Sequence, residues 1–320
     1  MTQTQSTKRP ILLCQRAQHS TRGKKNPRRW FGIPGLTLLF GSVGAALAVN
    51  FYYSLTNWNG FNHHKFIGLH NYVKIASDPN IRDSILHVLW FVIPFAIIPT
   101  ALGCFLAAVL FDYIQPYFGS SIASTYRTLL YLPQIVPLAM TGVLWHWILD
   151  YPNGLINNYL VNSGKVTNAI NFESHPLFVQ LLFSIILIWL QVGFTLLIFI
   201  AGMSRRDPRV MEAAQIDGAS FLQQLRYITI PLLKAELIVV ILTISINALK
   251  MFGPVYWITG GGPEGATNVP STFSFKQFYG GSHVGLGAAV ASLFAIILGF
   301  FAYFVLKYQR KSGVSVYDDH

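Results

Sequence analysis

Six stretches of this chain stay apolar for about twenty residues or more, and no other feature constrains the fold as tightly. They run Trp30–Tyr53, Ile85–Phe111, Thr128–Leu149, Leu177–Met203, Leu232–Ile258 and Leu286–Leu306. A bilayer core of ~30 Å asks for about 20 apolar residues per helical crossing. Inside it every backbone N–H and C=O must be satisfied within the protein, which an α-helix does by itself. The expected fold is an all-α integral membrane protein with six transmembrane helices. Composition agrees, because 11% of the residues are charged, against about 25% in a soluble domain.

Orientation follows from where the basic residues fall. With the N-terminus inside, sixteen Lys and Arg lie in cytoplasmic segments and five in outside loops, the asymmetry that sets membrane topology. Both termini are therefore expected on the cytoplasmic side of the membrane. Residues 1–29 carry eight of those basic residues and no acid, which reads as a disordered tail attracted to anionic membrane lipid. Topology accounts for the net charge of +11 without a nucleic-acid partner. The first run has a basic flank and an Ala46-Leu47-Ala48 triplet like a cleavage site. It is too long for a signal-peptide apolar region of about 7–15 residues, so it is expected as a retained helix. Residues 311–320 form a short cytoplasmic tail.

Chemistry is sparse. No segment reads GxxxxGK[ST], so nucleotide hydrolysis is not expected of this chain. Paired intramembrane carboxylates, which would suit proton coupling, are missing from the predicted spans, and this weakens the alternative of a stand-alone secondary carrier or channel. Cys14 and Cys104 have no metal-ligand spacing, and His63-His64 has no carboxylate or cysteine at ligand distance, so no metal site is expected. Pro94, Pro99, Pro133 and Pro137 are expected to kink the second and third spans, as suits helices around a cavity.

One polar segment interrupts the apolar C-terminal half: Arg205–Leu232, RRDPRVMEAAQIDGASFLQQLRYITIPL. Pro208 suits a first helical turn and Glu212-Ala213-Ala214-Gln215-Ile216 are helix formers. Asp217-Gly218 should end that helix. Ser220 and Gln223 have capping-box spacing for a second helix from Phe221 to Ile230. Two short helices at an angle, with Glu212 and four arginines exposed, would then lie on the cytoplasmic face.

Glu212-Ala213-Ala214, Gly218 and Ile228-Thr229-Ile230-Pro231 resemble the EAA…G…I-x-L-P signature of binding-protein-dependent ABC importer permeases, with Ile230 in place of the usual leucine. Further positions resemble the carbohydrate-uptake branch, the maltose and glycerol-phosphate type. They are Ser54–Trp58, Phe66–Val73, Arg127–Pro133 and Thr259–Pro263. The resemblance spans residues 30–310 and implies a transmembrane domain with a coupling loop at 205–231. It implies a second homologous permease, two ATP-binding-cassette subunits that hold the ATP and Mg²⁺, and an extracytoplasmic solute-binding protein. This chain would then be no enzyme and would need no cofactor of its own. In such permeases Glu212, Ala213, Ala214, Asp217 and Gly218 would form the ATPase-coupling turn. The solute would lie among the spans flanking it, where Trp189, Gln191, Asn247 and Lys250 are the candidate contacts. Gly253 stands where the family commonly has an aspartate.

Overall fold

The structure is a computed structural model and describes Ile33–Lys311. The basic tail, the first three residues of the first apolar run and residues 312–320 lie outside the described residues. Among the described residues the chain is helical, with one isolated antiparallel bridge between Thr56 and Phe66. The elements are α1 (Ile33–Ser54), α2 (His70–Ser77), α3 (Pro79–Phe118), α4 (Ser120–Ile135), α5 (Leu138–Leu149) and α6 (Leu155–Asn162). They continue with α7 (Pro176–Met203), α8 (Pro208–Ile216), α9 (Phe221–Leu232), α10 (Lys234–Leu249), α11 (Pro270–Tyr279) and α12 (Val284–Lys311). The chain divides near Ala46 into a short N-terminal unit and a large one, and the large unit holds every helix from α2 to α12.

Among the described residues four helices are long and apolar enough to cross a membrane unbroken, and two bent pairs bring the number to as many as six. The expected single kinked third span is instead α4 and α5 meeting at 96°. Val136 and Pro137 are extended there, with ψ of 126° and 136°, because a proline disfavours helical backbone at the residue before it. Pro133 stays inside α4. Pro94 and Pro99 likewise stay inside a continuous helix. Phe91, Phe95, Ala96, Pro99 and Thr100 are all buried around them, so packing holds the helix through its missing donors.

The predicted fifth span needs correcting at its far end. It is α10, which meets α9 at 76° across Leu233, a residue whose side chain is fully buried. Helix then stops at Leu249, nine residues short of the predicted end, and resumes as a π-helical turn at Val255–Thr259. The loop expected after Gly260 contains α11. Pro270 occupies its first turn, and the Thr272 hydroxyl accepts from the Val269 N–H at 3.0 Å.

The core forms where α3, α7 and α10 meet. Val88, Phe91, Phe183, Leu187, Leu196, Phe199, Val240 and Ile244 are buried together, with Phe91 and Phe183 edge-on at 5.1 Å. The opposite face of α3 exposes Leu86, Leu89, Trp90, Ile93 and Ile97. That stripe belongs against lipid, where an apolar side chain needs no cover. Since lipid tails are as apolar as leucine, helix association there depends on close packing and interhelical hydrogen bonds. Gly103 supplies the first, because a Cβ at that position would run into the Thr195 side chain. Thr195 supplies the second by donating to the Pro99 carbonyl at 2.8 Å. Thr195→Val should cost between about 0.6 and about 1.7 kcal/mol, the mean and the maximum found for interhelical hydrogen bonds in a membrane protein, seen as a small drop in the thermal midpoint of the purified protein.

Candidate functional site: a polar helix pair and a cavity at two helix breaks

The polar segment folds as its sequence suggests. The Asp207 carboxylate accepts from the Arg209 N–H at 3.0 Å, capping α8 with Pro208 in its first turn. The helix ends at Gly218, whose φ of +75° is left-handed, the conformation glycine adopts without a Cβ penalty. The Gly218 N–H donates to Gln215 O at 3.1 Å and the Ala219 N–H to Ala214 O at 2.9 Å, the paired bonds of a Schellman stop. Gln223 Oε1 then accepts from the Ser220 N–H at 2.7 Å, starting α9 where the capping-box spacing places it. Phe221 seats α9 against α3, 5.9 Å from Phe105 and 5.3 Å from Tyr113.

The two faces of α8 differ. Met211 and Ala214 are buried, whereas Glu212, Ala213, Ile216, Asp217 and Gly218 are exposed. The Ala213-Ala214 pair is therefore split, with Ala214 packed inward. Glu212 and Ile216 are one turn apart on the outward face. Ile216 is 86% exposed, and Val210 and Leu222 are exposed too.

The expectation of four exposed arginines fails at Arg206. Arg205, Arg209 and Arg226 are exposed, but the Arg206 side chain is 5% exposed and pairs with Asp112, whose side chain is 9% exposed. One guanidinium nitrogen reaches Asp112 Oδ1. The other lies 3.5 Å from Oδ2 and donates to Thr229 Oγ1 at 3.3 Å. Asp112 falls one residue beyond the second apolar run, so nothing local in the sequence marks it as a partner.

At the far end of α10 a cavity of about 530 Å³ opens between the α4–α5 break and the break that follows Leu249. Gln134, Val136 and Leu138 line it from the α4–α5 break, and Asn247, Lys250, Phe252 and Gly253 from the end of α10. Gln191 lines it from α7. Three of the four predicted solute contacts, Gln191, Asn247 and Lys250, thus meet in one place. Trp189 does not line this cavity; it packs edge-on against Trp145 at 5.7 Å. Gln134, absent from the predicted set, adds another amide. Its signal is Pro137, since non-helical backbone at membrane depth is tolerated where it lines a cavity or is buried in protein. Close packing unites the two breaks, because a Cβ on Gly142 of α5 would strike the backbone carbonyl of Trp257.

Comparison with known proteins places this architecture. Residues 100–312 match the family described as binding-protein-dependent transport system inner membrane component. A probable ABC transporter permease of Pyrococcus horikoshii is 30% identical over 83% of this chain and 90% of its own. The trehalose/maltose transport system permease protein of Thermococcus litoralis is 31% identical over 73% and 77%. The fold is also that of a chain in the crystal structure of a bacterial alginate ABC transporter in complex with an alginate pentasaccharide-bound periplasmic protein. That match has a TM-score of 0.73 at 19% identity, covering 89% of this chain and 93% of the other. With spans interrupted around a cavity that holds Gln134, Gln191, Asn247 and Lys250 and a helix pair turned at Gly218 on one face, the chain belongs to the binding-protein-dependent transport system inner membrane component family and is a permease subunit of an ABC importer.

Proposed function

We propose that the chain passes a carbohydrate, or a similarly hydroxylated solute, through the cavity at its two helix breaks, driven by an ATPase docked on α8. The observation that carries the driven part is the outward face of α8. A carboxylate at Glu212 beside Ile216, with Val210 and Leu222 also exposed, is an apolar surface with a charged rim. On an aqueous face such a patch calls for a protein cover. The family resemblance supplies that cover as an ATP-binding-cassette subunit, with a second permease and a second ATPase completing the assembly and a solute-binding protein delivering the cargo. Both termini would then be cytoplasmic, as the distribution of basic residues indicates.

The carbohydrate assignment rests on the trehalose/maltose relative and on the cavity's chemistry. Amides at Gln134, Gln191 and Asn247 can donate to and accept from hydroxyl groups, Phe252 offers a ring face, and Lys250 adds a donor. Purifying the tagged chain from its native membranes should bring down an ATPase and a second permease. A complex without an ATPase that still moves solute would overturn the reading. Asn247→Ala and Gln191→Ala should each lower the uptake rate at saturating solute by about two- to tenfold, the worth of a hydrogen bond. The affinity of the separate solute-binding protein should stay unchanged in the same experiment. Full uptake by both variants at equal abundance would place the solute elsewhere.

A further inference from the structure

We infer that Arg206, Asp112 and Thr229 are positioning residues that carry movement of the α8–α9 segment into the transmembrane core. The inference rests on the coupling role proposed for that segment. Asp112 sits at the cytoplasmic end of α3 with its side chain 9% exposed, and Thr229, near the end of α9, is buried. Arg206 lies in the turn between α7 and α8, held by its own N–H to Met203 O at 3.0 Å. Arg206 therefore ties the helix before the segment, through its backbone, to the helix within it and to a helix of the core, through its guanidinium.

The backbone on both sides of Arg206 is specialised for this contact. Asp112 lies in a π-helical stretch, Val109–Ile114, and Thr229 closes another, Leu225–Thr229. Such stretches interrupt an α-helix by one wider turn, are uncommon, and gather at functional positions. Phe111 places its ring 5.6 Å from the same guanidinium. A planar fork meeting a carboxylate with two nitrogens fixes direction as well as distance, as a rigid link requires. The neighbouring Arg205 pairs with Glu236 at the start of α10, so successive arginines bind the two core helices that pack on α7. Arg205 is 72% exposed, and solvent weakens its pair; Arg206 is the stiff member. Because α10 ends at the cavity, displacement of α8 and α9 would reach Asn247 and Lys250 along helices held at their cytoplasmic ends.

The test uses the intact transporter, purified through a tag on this chain and reconstituted in liposomes, and reads solute moved per ATP hydrolysed. Radiolabelled trehalose and maltose serve as probes, with the solute-binding protein from the same gene neighbourhood. Asp112→Asn should lower the ratio about tenfold, a usual scale for energetic coupling between two sites. Thr229→Val, a milder change, should lower it about threefold. The exchange Asp112→Arg with Arg206→Asp should recover most of the loss. A purely structural pair would lower abundance, transport and hydrolysis together and leave the ratio alone. If Asp112→Asn does not accumulate in the membrane, Thr229→Val decides. An unchanged ratio in that variant overturns the inference, and in Asp112→Asn it does the same. Wild-type transport by Glu212→Lys would instead remove the coupling segment's role itself, so the two failures are separable.

Discussion

Glu212→Lys should abolish solute uptake while the chain reaches the membrane at wild-type abundance. The residue is exposed on α8, and surface substitutions of this kind usually change stability by about 0.5 kcal/mol or less. Unfolding therefore cannot account for a large loss. If a basic group of an ATPase faces this carboxylate, reversing the charge replaces attraction with repulsion. Like charges brought together at an interface cost several kcal/mol, enough to lower affinity by about a hundredfold or more. Gly218→Pro should be as damaging by a different route. Proline holds φ near about −65°, whereas Gly218 has +75°, and it would also remove the N–H that bonds Gln215 O. Gly218→Ala keeps the N–H and costs about 1–2 kcal/mol for a left-handed backbone, so partial uptake should survive. The measurement is uptake normalised to membrane abundance by quantitative blotting. Wild-type uptake by Glu212→Lys would end the docking reading.

Local chemistry makes the α8–α9 turn legible in the sequence alone. Its cap, its glycine and its capping box act within four or five residues, so the sequence contains the complete instruction. The membrane spans are legible for a similar reason, since bilayer thickness imposes a length on each apolar run. Helix continuity is not. Pro99 and Pro137 look alike in sequence, yet one lies inside α3 and the other separates α4 from α5. What differs is the surrounding packing, buried at Pro99 and open to a cavity beside Val136. The helix α11 is hidden because ten residues of mixed polarity read as loop, and its serines bond to Met251 O and Gly287 O, partners remote in sequence. Arg206 is misjudged for the same reason. An arginine in a basic loop belongs with solvent until the fold brings Asp112 to it from 94 positions away. Of the solute candidates, Gln191, Asn247 and Lys250, polar residues within apolar spans, line the cavity, whereas Trp189 packs against Trp145.

Gly142→Val should remove uptake and lower the thermal midpoint of the purified protein, because it attacks the contact that unites the two helix breaks. A Cβ on Gly142 would meet the carbonyl oxygen and carbon of Trp257. Both are backbone atoms within the π-helical turn, so no rotamer change can make room and α5 must move away from Val255–Thr259. Overpacking of a close contact costs about 1–3 kcal/mol, and the same movement would pull Leu138 away from Gly253 on the cavity wall. Gly253 itself provides the control. A Cβ there would meet Leu138 Cδ2 at 2.7 Å, the tip of a flexible side chain that can turn aside. Gly253→Ala should therefore leave the midpoint close to wild type, and Gly142→Ala should fall between it and Gly142→Val. Uptake should follow the same order, since the residues bordering the cavity are positioned by this contact rather than by the membrane. An equal midpoint for Gly142→Val and wild type would show that the breaks are held together by something other than their own packing. The cavity would then need a support outside this chain, and a second permease pressed against α5 would be the first place to look.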